Sequence, residues 1–166
     1  MGAKSWPPWE VKRSEQTLDI LFELIKQPES DREETTSWLT RLLVVRLCGH
    51  LEQTVLHCTR QYVVEKSGGM VQSFSLSWLE RSRNPSSGAL ESHIRRFDEK
   101  LANDFAQFLD YDGRRLADEL NYLVTARNRI AHGENEGLRR DRAIRLESAT
   151  KEICDWWILT FNPFIR

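Results

Sequence analysis

The chain has 166 residues, 40% of them hydrophobic and 30% charged, which gives one well-buried domain, is short for two, and is unlike a disordered chain. Its formal net charge of −1 supplies no global field toward nucleic acid or membrane, so any anion binding has to come from a local patch. Apolar runs of only a few residues exclude a membrane-spanning helix.

The amino terminus lacks the charged segment, long apolar run and small-residue cleavage site of a secretory leader. Cys48, Cys58 and Cys154 are odd in number, widely spaced and set in apolar helical sequence, as reduced core residues would be. The expectation is a cytoplasmic protein with no membrane association. No Cys-x-x-Cys or His-x-x-x-His spacing suggests a metal site, and no cofactor is implied.

In chain order, residues 1–13 contain Trp6-Pro7-Pro8-Trp9. Adjacent prolines disfavour helix and the tryptophans offer apolar anchors, so an extended arm is expected there, with a single helical domain over 14–166. Leu18, Leu21, Phe22 and Ile25 recur at helical spacing before Pro28, which predicts a first amphipathic helix over 14–27. Thr35 or Thr36 can cap a long second helix reaching Lys66, where Ser67-Gly68-Gly69 ends it. Residues 71–81 alternate at Phe74, Leu76 and Trp78 yet also suit a short helix, which is the reading taken.

After the turn-rich stretch Arg83-Asn84-Pro85-Ser86-Ser87-Gly88, the residues Ile94, Phe97, Leu101, Phe105, Phe108 and Leu109 predict one helix over 89–109. Residues 114–131 carry Leu116, Leu120, Leu123, Val124 and Ile130 on one stripe, with Gly133 suited to cap the end. A polar turn over 134–137 leads into a last helix over 140–161, in which Trp156-Trp157 reads as core or subunit interface. The fold class is all-α, an antiparallel bundle of about five to six helices.

The charged residues that these helices carry are unevenly placed. Between positions 127 and 145 six arginines face only Glu134, Glu136 and Asp141, a local excess of three positive charges. Arg127 falls on the apolar stripe of its helix, so its guanidinium points at the bundle or at a second subunit and needs an acceptor. On the long second helix Glu52 sits among Val45, Cys48, Gly49, Val55 and Leu56, and is the candidate partner for Arg127 or His132. Asn128 and His132, four apart, share a face, whereas Arg127 and His132 are about 140° apart on an ideal helix. A helix loosened at Gly133 would let His132 swing toward Arg127.

The dipole at that helix end favours the imidazolium form of His132, which suits a proton donor or shuttle. A structural arginine and a helix-ending histidine fit the same two residues. Arg46, His50, Gln53 and His57 form a polar stripe read as a solvated face. Arg139, Arg140, Arg142 and Arg145 either track an RNA backbone or pair with Glu134, Glu136 and Asp141 on the surface.

The run Leu123-Val124-Thr125-Ala126-Arg127-Asn128-Arg129-Ile130-Ala131-His132-Gly133 resembles the signature of the HEPN superfamily, an arginine, a polar residue, then a histidine after four to six positions. Arg46-Leu47-Cys48-Gly49-His50-Leu51-Glu52 and Arg83-Asn84-Pro85-Ser86 extend the likeness to the RiboL-PSP type over residues 36–161. The resemblance implies a helical bundle that dimerises with two motifs facing each other, and a metal-independent endoribonuclease of toxin–antitoxin or antiviral defence systems. It implies that Arg127 binds the scissile phosphate, His132 acts as general acid or base, Asn128 orients His132 or the phosphate, and Glu52 holds Arg127.

Arg46, Arg129, Arg139 and Arg140 are the expected RNA contacts, and an antitoxin or defence-system protein is an expected partner. Inactive HEPN domains leave a second reading, a non-catalytic module that binds RNA or protein. A third is a helical adaptor whose Trp6 and Trp9 arm docks on another protein.

Overall fold

A computed structural model describes residues 5–26, 33–79, 84–134 and 137–165. Pro28, Arg81, Arg83 and Glu136, which figured in the expected helix ends, turns and ion pairs, lie outside them. The described residues form seven helices and no strand: α1 (Trp9–Lys26), α2 (Glu33–Lys66), α3 (Gly69–Ser77), α4 (Ser87–Arg95), α5 (Glu99–Asp110), α6 (Arg115–Ala131) and α7 (Arg140–Thr160). None is long and apolar enough to cross a membrane.

Several boundaries differ from expectation: α2 starts at Glu33, so Thr35 and Thr36 lie inside the helix and do not cap it, and α3 spans Gly69–Ser77 where 71–81 was expected. Helix α1 starts at Trp9, so residues 9–13 are not an extended arm. Proline needs no N–H acceptor in a first turn and brings a suitable φ, and the Pro8 carbonyl accepts from the Val11 and Lys12 amides at 3.1 and 3.3 Å. The expected helix over 89–109 is two helices, which raises the count above five to six. Asp98 takes an extended conformation (φ −160, ψ 129) and its carboxylate accepts from the Leu101 amide at 2.7 Å. That N-cap starts α5 anew, because a short side-chain acceptor satisfies a first-turn donor that an unbroken helix would have used internally.

Helix α2 runs through two adjoining cores. Its first half, with Leu43, Val44 and Leu47, packs on the C-terminal half of α1, on Leu123, Val124 and Ala126 of α6, and on Ala143 and Leu146 of α7. Its second half, with Leu51 and Cys58, packs on α4, α5, the start of α6 and the end of α7, where Trp157 and Phe161 are almost fully enclosed. The order of these contacts makes α1 antiparallel to α2, and α6 antiparallel to α7. Helices α2 and α7 run the same way, as they can because no short loop joins them.

Aromatic contacts stiffen the second core: Trp157 stacks on Phe161 at 5.0 Å and its Nε1 donates to Thr59 Oγ1 at 3.2 Å. Trp156 packs against Phe105 and Phe108, so the tryptophan pair belongs to the core side of α7. Cys48, Cys58 and Cys154 are buried and unpaired. Trp6 turns back onto the same domain. Its Nε1 donates to the Ile158 carbonyl at 3.1 Å and its ring meets Phe164 edge-on, which ties the residues before α1 to the end of α7, while Trp9 is 60% exposed.

Candidate active site

The end of α6 is built by its glycine. Gly133 adopts φ +77, its amide bonds the Ile130 carbonyl at 3.0 Å, and the Glu134 amide bonds the Arg129 carbonyl at 3.0 Å. These two bonds are the Schellman pattern, which satisfies carbonyls that a helix end leaves open. His132 is therefore the last residue of the turn, with its own amide bonded to Asn128 and Arg129 carbonyls. The chain reverses only at Gly133, so the α6 backbone keeps its helical hydrogen bonding up to the His132 amide and does not loosen before the cap.

One turn and a half earlier, Arg127 meets α2. Its Nη2 donates to Glu52 Oε1 at 2.7 Å, and its Nη1 donates to Asn128 Oδ1 at 3.0 Å. The sequence-derived pairing with Glu52 is thus present. The side chains are 32% and 16% exposed, partly desolvated, so each charge depends on the other. A guanidinium has five N–H donors in a planar fork; two contacts leave further donors on its exposed edge for an incoming anion.

Cys48, one turn before Glu52, donates from Sγ to Glu52 Oε1 at 3.8 Å. Burial first, then the Glu52 carboxylate, push its thiol up to about 11, against the opposing pull of Arg127. Cys48 is thus a neutral donor at ordinary pH and no nucleophile.

Asn128 turns to Arg127 and not to His132, because its amide oxygen is taken by the guanidinium. His132 is exposed, and no side chain among the described residues hydrogen-bonds its ring. A single chain therefore assembles Arg127, Asn128, Glu52 and Cys48 into one cluster and leaves His132 beside it, facing solvent.

The sequence pattern of the RiboL-PSP-HEPN family matches residues 11–155. The chain belongs to that family. The match runs from the start of α1 through most of α7, so Glu52 and the Arg127 to His132 segment both fall inside it. No curated protein and no solved structure matches the chain. Membership suggests a nuclease or RNA-binding role.

The remaining basic residues of this HEPN domain are dispersed. Arg129 is exposed beside His132, 3.8 Å from Glu134. Arg46 stands exposed on the outer face of α2. Arg139 opens α7 and lines a shallow depression with Tyr122, Arg142 and Arg145. Arg140 donates to the Lys26 carbonyl at the end of α1, so it joins two helices.

Arg142 pairs with Glu119 at 2.7 Å, with Arg145 at 3.9 Å from the same oxygen, and lies over Tyr122. Glu119, a carboxylate on the buried side of α6, was not among the acceptors expected for these arginines. Its spacing was a usable signal that was overlooked, since Glu119 stands three residues after Leu116 and four before Leu123 on the apolar stripe of α6.

The polar stripe of α2 is only partly solvated. Arg46 and Gln53 are exposed, and His57 bonds Gln53, but His50 is 3% exposed with Nδ1 3.0 Å from Ser14 Oγ. The arrival of α1 covers it. Burial first, then the charge of Lys151, lower its pKa to about 4, against the raising effect of Asp19.

From Glu52 a narrow cleft runs between α2 and the α3–α4 region, lined by Glu52, Leu56, Trp78, Pro85 and His93. Its free volume is about 40 Å³, room for a few waters at about 10–15 Å³ each. Trp78 and His93 were not among the candidate residues. Trp78 lies where strand and helix periodicities conflict, and His93 carried no motif.

Proposed function

We propose that this HEPN domain is a metal-independent endoribonuclease that acts as a homodimer, the toxin or effector of a defence system held in check by an antitoxin or other partner protein. The observation that carries the reading is the Arg127–Glu52 contact of 2.7 Å, which fixes a partly exposed guanidinium against a carboxylate that lines a cleft and leaves its outer edge open. A fixed fork of this kind suits a phosphate and the charge that grows on it in the transition state. Glu52 and Asn128 position Arg127, and Cys48 in turn steadies Glu52.

In the reaction, the RNA 2′-oxygen attacks the adjacent phosphorus as its proton passes to a base. The bond from phosphorus to the 5′-oxygen breaks, and that oxygen takes a proton from an acid. The products are a 2′,3′-cyclic phosphate, or its hydrolysed form, and a 5′-hydroxyl. His132 supplies acid or base catalysis. Because it is about 140° round and about 7.5 Å along an ideal helix from Arg127, a second subunit is what brings an imidazole opposite the guanidinium. Arg129, Arg139 and Arg46 are the exposed cations that follow the RNA backbone, while Arg140 is occupied in joining α1 to α7.

The separation of His132 from Arg127 within one chain favours a second reading, an RNA- or protein-binding HEPN module without catalysis. Cleavage of single-stranded RNA in excess chelator separates the two. The nuclease reading expects cutting by the wild-type protein and its loss in both Arg127→Ala and His132→Ala, with His132→Ala retaining its melting temperature because the side chain is exposed. Binding without cutting, indifferent to His132→Ala, supports the module.

A further inference from the structure

The narrow cleft beside Glu52 opens at Trp78, Leu79 and His93 into a wider depression of about 510 Å³ whose walls are aromatic. Helix α3, which forms one wall, buries none of its residues. Phe74 and Trp78 are 66% and 55% exposed, stand edge to face at 5.9 Å, and the Arg96 guanidinium lies over the Trp78 ring at 5.4 Å. On the opposite wall Phe97 is held in place by the edges of Tyr62 and Phe161. The internal core makes no use of Phe74 or Trp78, so their size and flatness serve something outside the chain.

A nucleic acid strand is the occupant that this surface fits. Exposed rings accept the faces of unpaired bases, and a neighbouring arginine both stacks and offsets backbone charge. The cleft at Glu52 is too small for a base, whereas the depression is not. Glu52, which holds Arg127, lines the cleft together with Trp78, and Trp78 also lines the depression, so the aromatic wall continues from the carboxylate that positions the guanidinium. We propose that Phe74, Trp78 and Arg96 form a base-stacking platform for single-stranded RNA whose scissile phosphate is held at Arg127, an inference that rests on the nuclease reading. Such a platform selects unpaired over duplex RNA, because a paired base hides its face, and discriminates weakly among bases, because each has a π-face.

The test uses His132→Ala protein, which binds without cutting, and two labelled oligomers of equal length: a single-stranded RNA of mixed sequence and one whose sugars lack bases. Adding Trp78→Ala should weaken binding of the first by about ten- to a hundredfold, the loss typical of one stacked base. Binding of the abasic oligomer should not change, and Trp78→Phe should recover most of the affinity for the first. Phe74→Ala, at a position that also buries little, should act in the same direction. Equal affinity for the base-bearing RNA with and without Trp78 overturns the platform and leaves the nuclease reading standing; the aromatic face then serves a protein partner. Failure of wild-type and His132→Ala protein to bind either oligomer overturns the platform and the nuclease reading together.

Discussion

At the scale of single residues, the Arg127–Glu52 pair is where charge and burial meet. Removing either partner leaves the other partly desolvated, so Glu52→Gln should lower both stability and cleavage. A double-mutant cycle with Arg127→Met should return a coupling on the order of 1–3 kcal/mol; additive effects on melting would show that the contact contributes nothing. This pair could be read from the sequence because both residues sit on apolar stripes at fixed helical offsets, where a charge requires a partner. Asn128 could not, since the helical wheel places it with His132 while its short amide reaches sideways to Arg127.

His50 was hidden for another reason. Its neighbours on α2 are solvated, and only the packing of α1 encloses it. With a folded-state pKa of about 4 against an ordinary 6.5, the native state resists its protonation. The stability this gives is fully present above pH 6.5 and is lost as pH falls from there toward 4. Melting temperature should therefore drop across that window, and less steeply in His50→Gln. An unchanged slope in the variant would assign the acid sensitivity to other groups.

At the scale of elements, two end signals behaved differently. Gly133 announced itself, because a glycine after an apolar helical run is the usual residue for a left-handed cap, and it takes φ +77. Since a Cβ there would meet nothing within 4 Å, Gly133→Ala should cost only conformational strain, about 1–2 kcal/mol. A substitution that leaves melting unchanged would mean that the Schellman turn is not maintained in solution. Asp98 was masked by the apolar periodicity that continues across it through Phe97 and Leu101, which made α4 and α5 read as one helix. Asp98→Ala should destabilise by about 1 kcal/mol through loss of the N-cap, with little effect on RNA cutting. Helix α3 was ambiguous because its aromatics answer to an outer surface and not to a core face, so no single period describes them.

At the scale of the whole molecule, membership of the RiboL-PSP-HEPN family and the all-α bundle were both legible, because the motif ends a strongly periodic helix and the strand signals are weak. The parallel run of α2 and α7 was not, since chain order alone says nothing about neighbours far apart in sequence. The proposed dimer has a natural face. Trp38 and Leu42 on the outer side of α2 are 62% and 46% exposed, and Val45 continues the same side toward Glu52. Leu42→Glu combined with Val45→Glu should convert a dimer to monomer in sedimentation and abolish cleavage while leaving the melting temperature of the bundle nearly unchanged. A wild-type monomer that cuts RNA at full rate would remove the need for a second subunit.

The most direct measurement of the account is the chemistry of the ends that the protein leaves on a defined single-stranded RNA, read by mass spectrometry in the presence of chelator. Attack by the 2′-oxygen, steered by Arg127 and completed by His132, predicts 2′,3′-cyclic phosphate or its hydrolysed form on one fragment and a 5′-hydroxyl on the other, with no fragments from Arg127→Ala or His132→Ala. Fragments ending in a 3′-hydroxyl and a 5′-phosphate, or undiminished cutting by both variants, would contradict it.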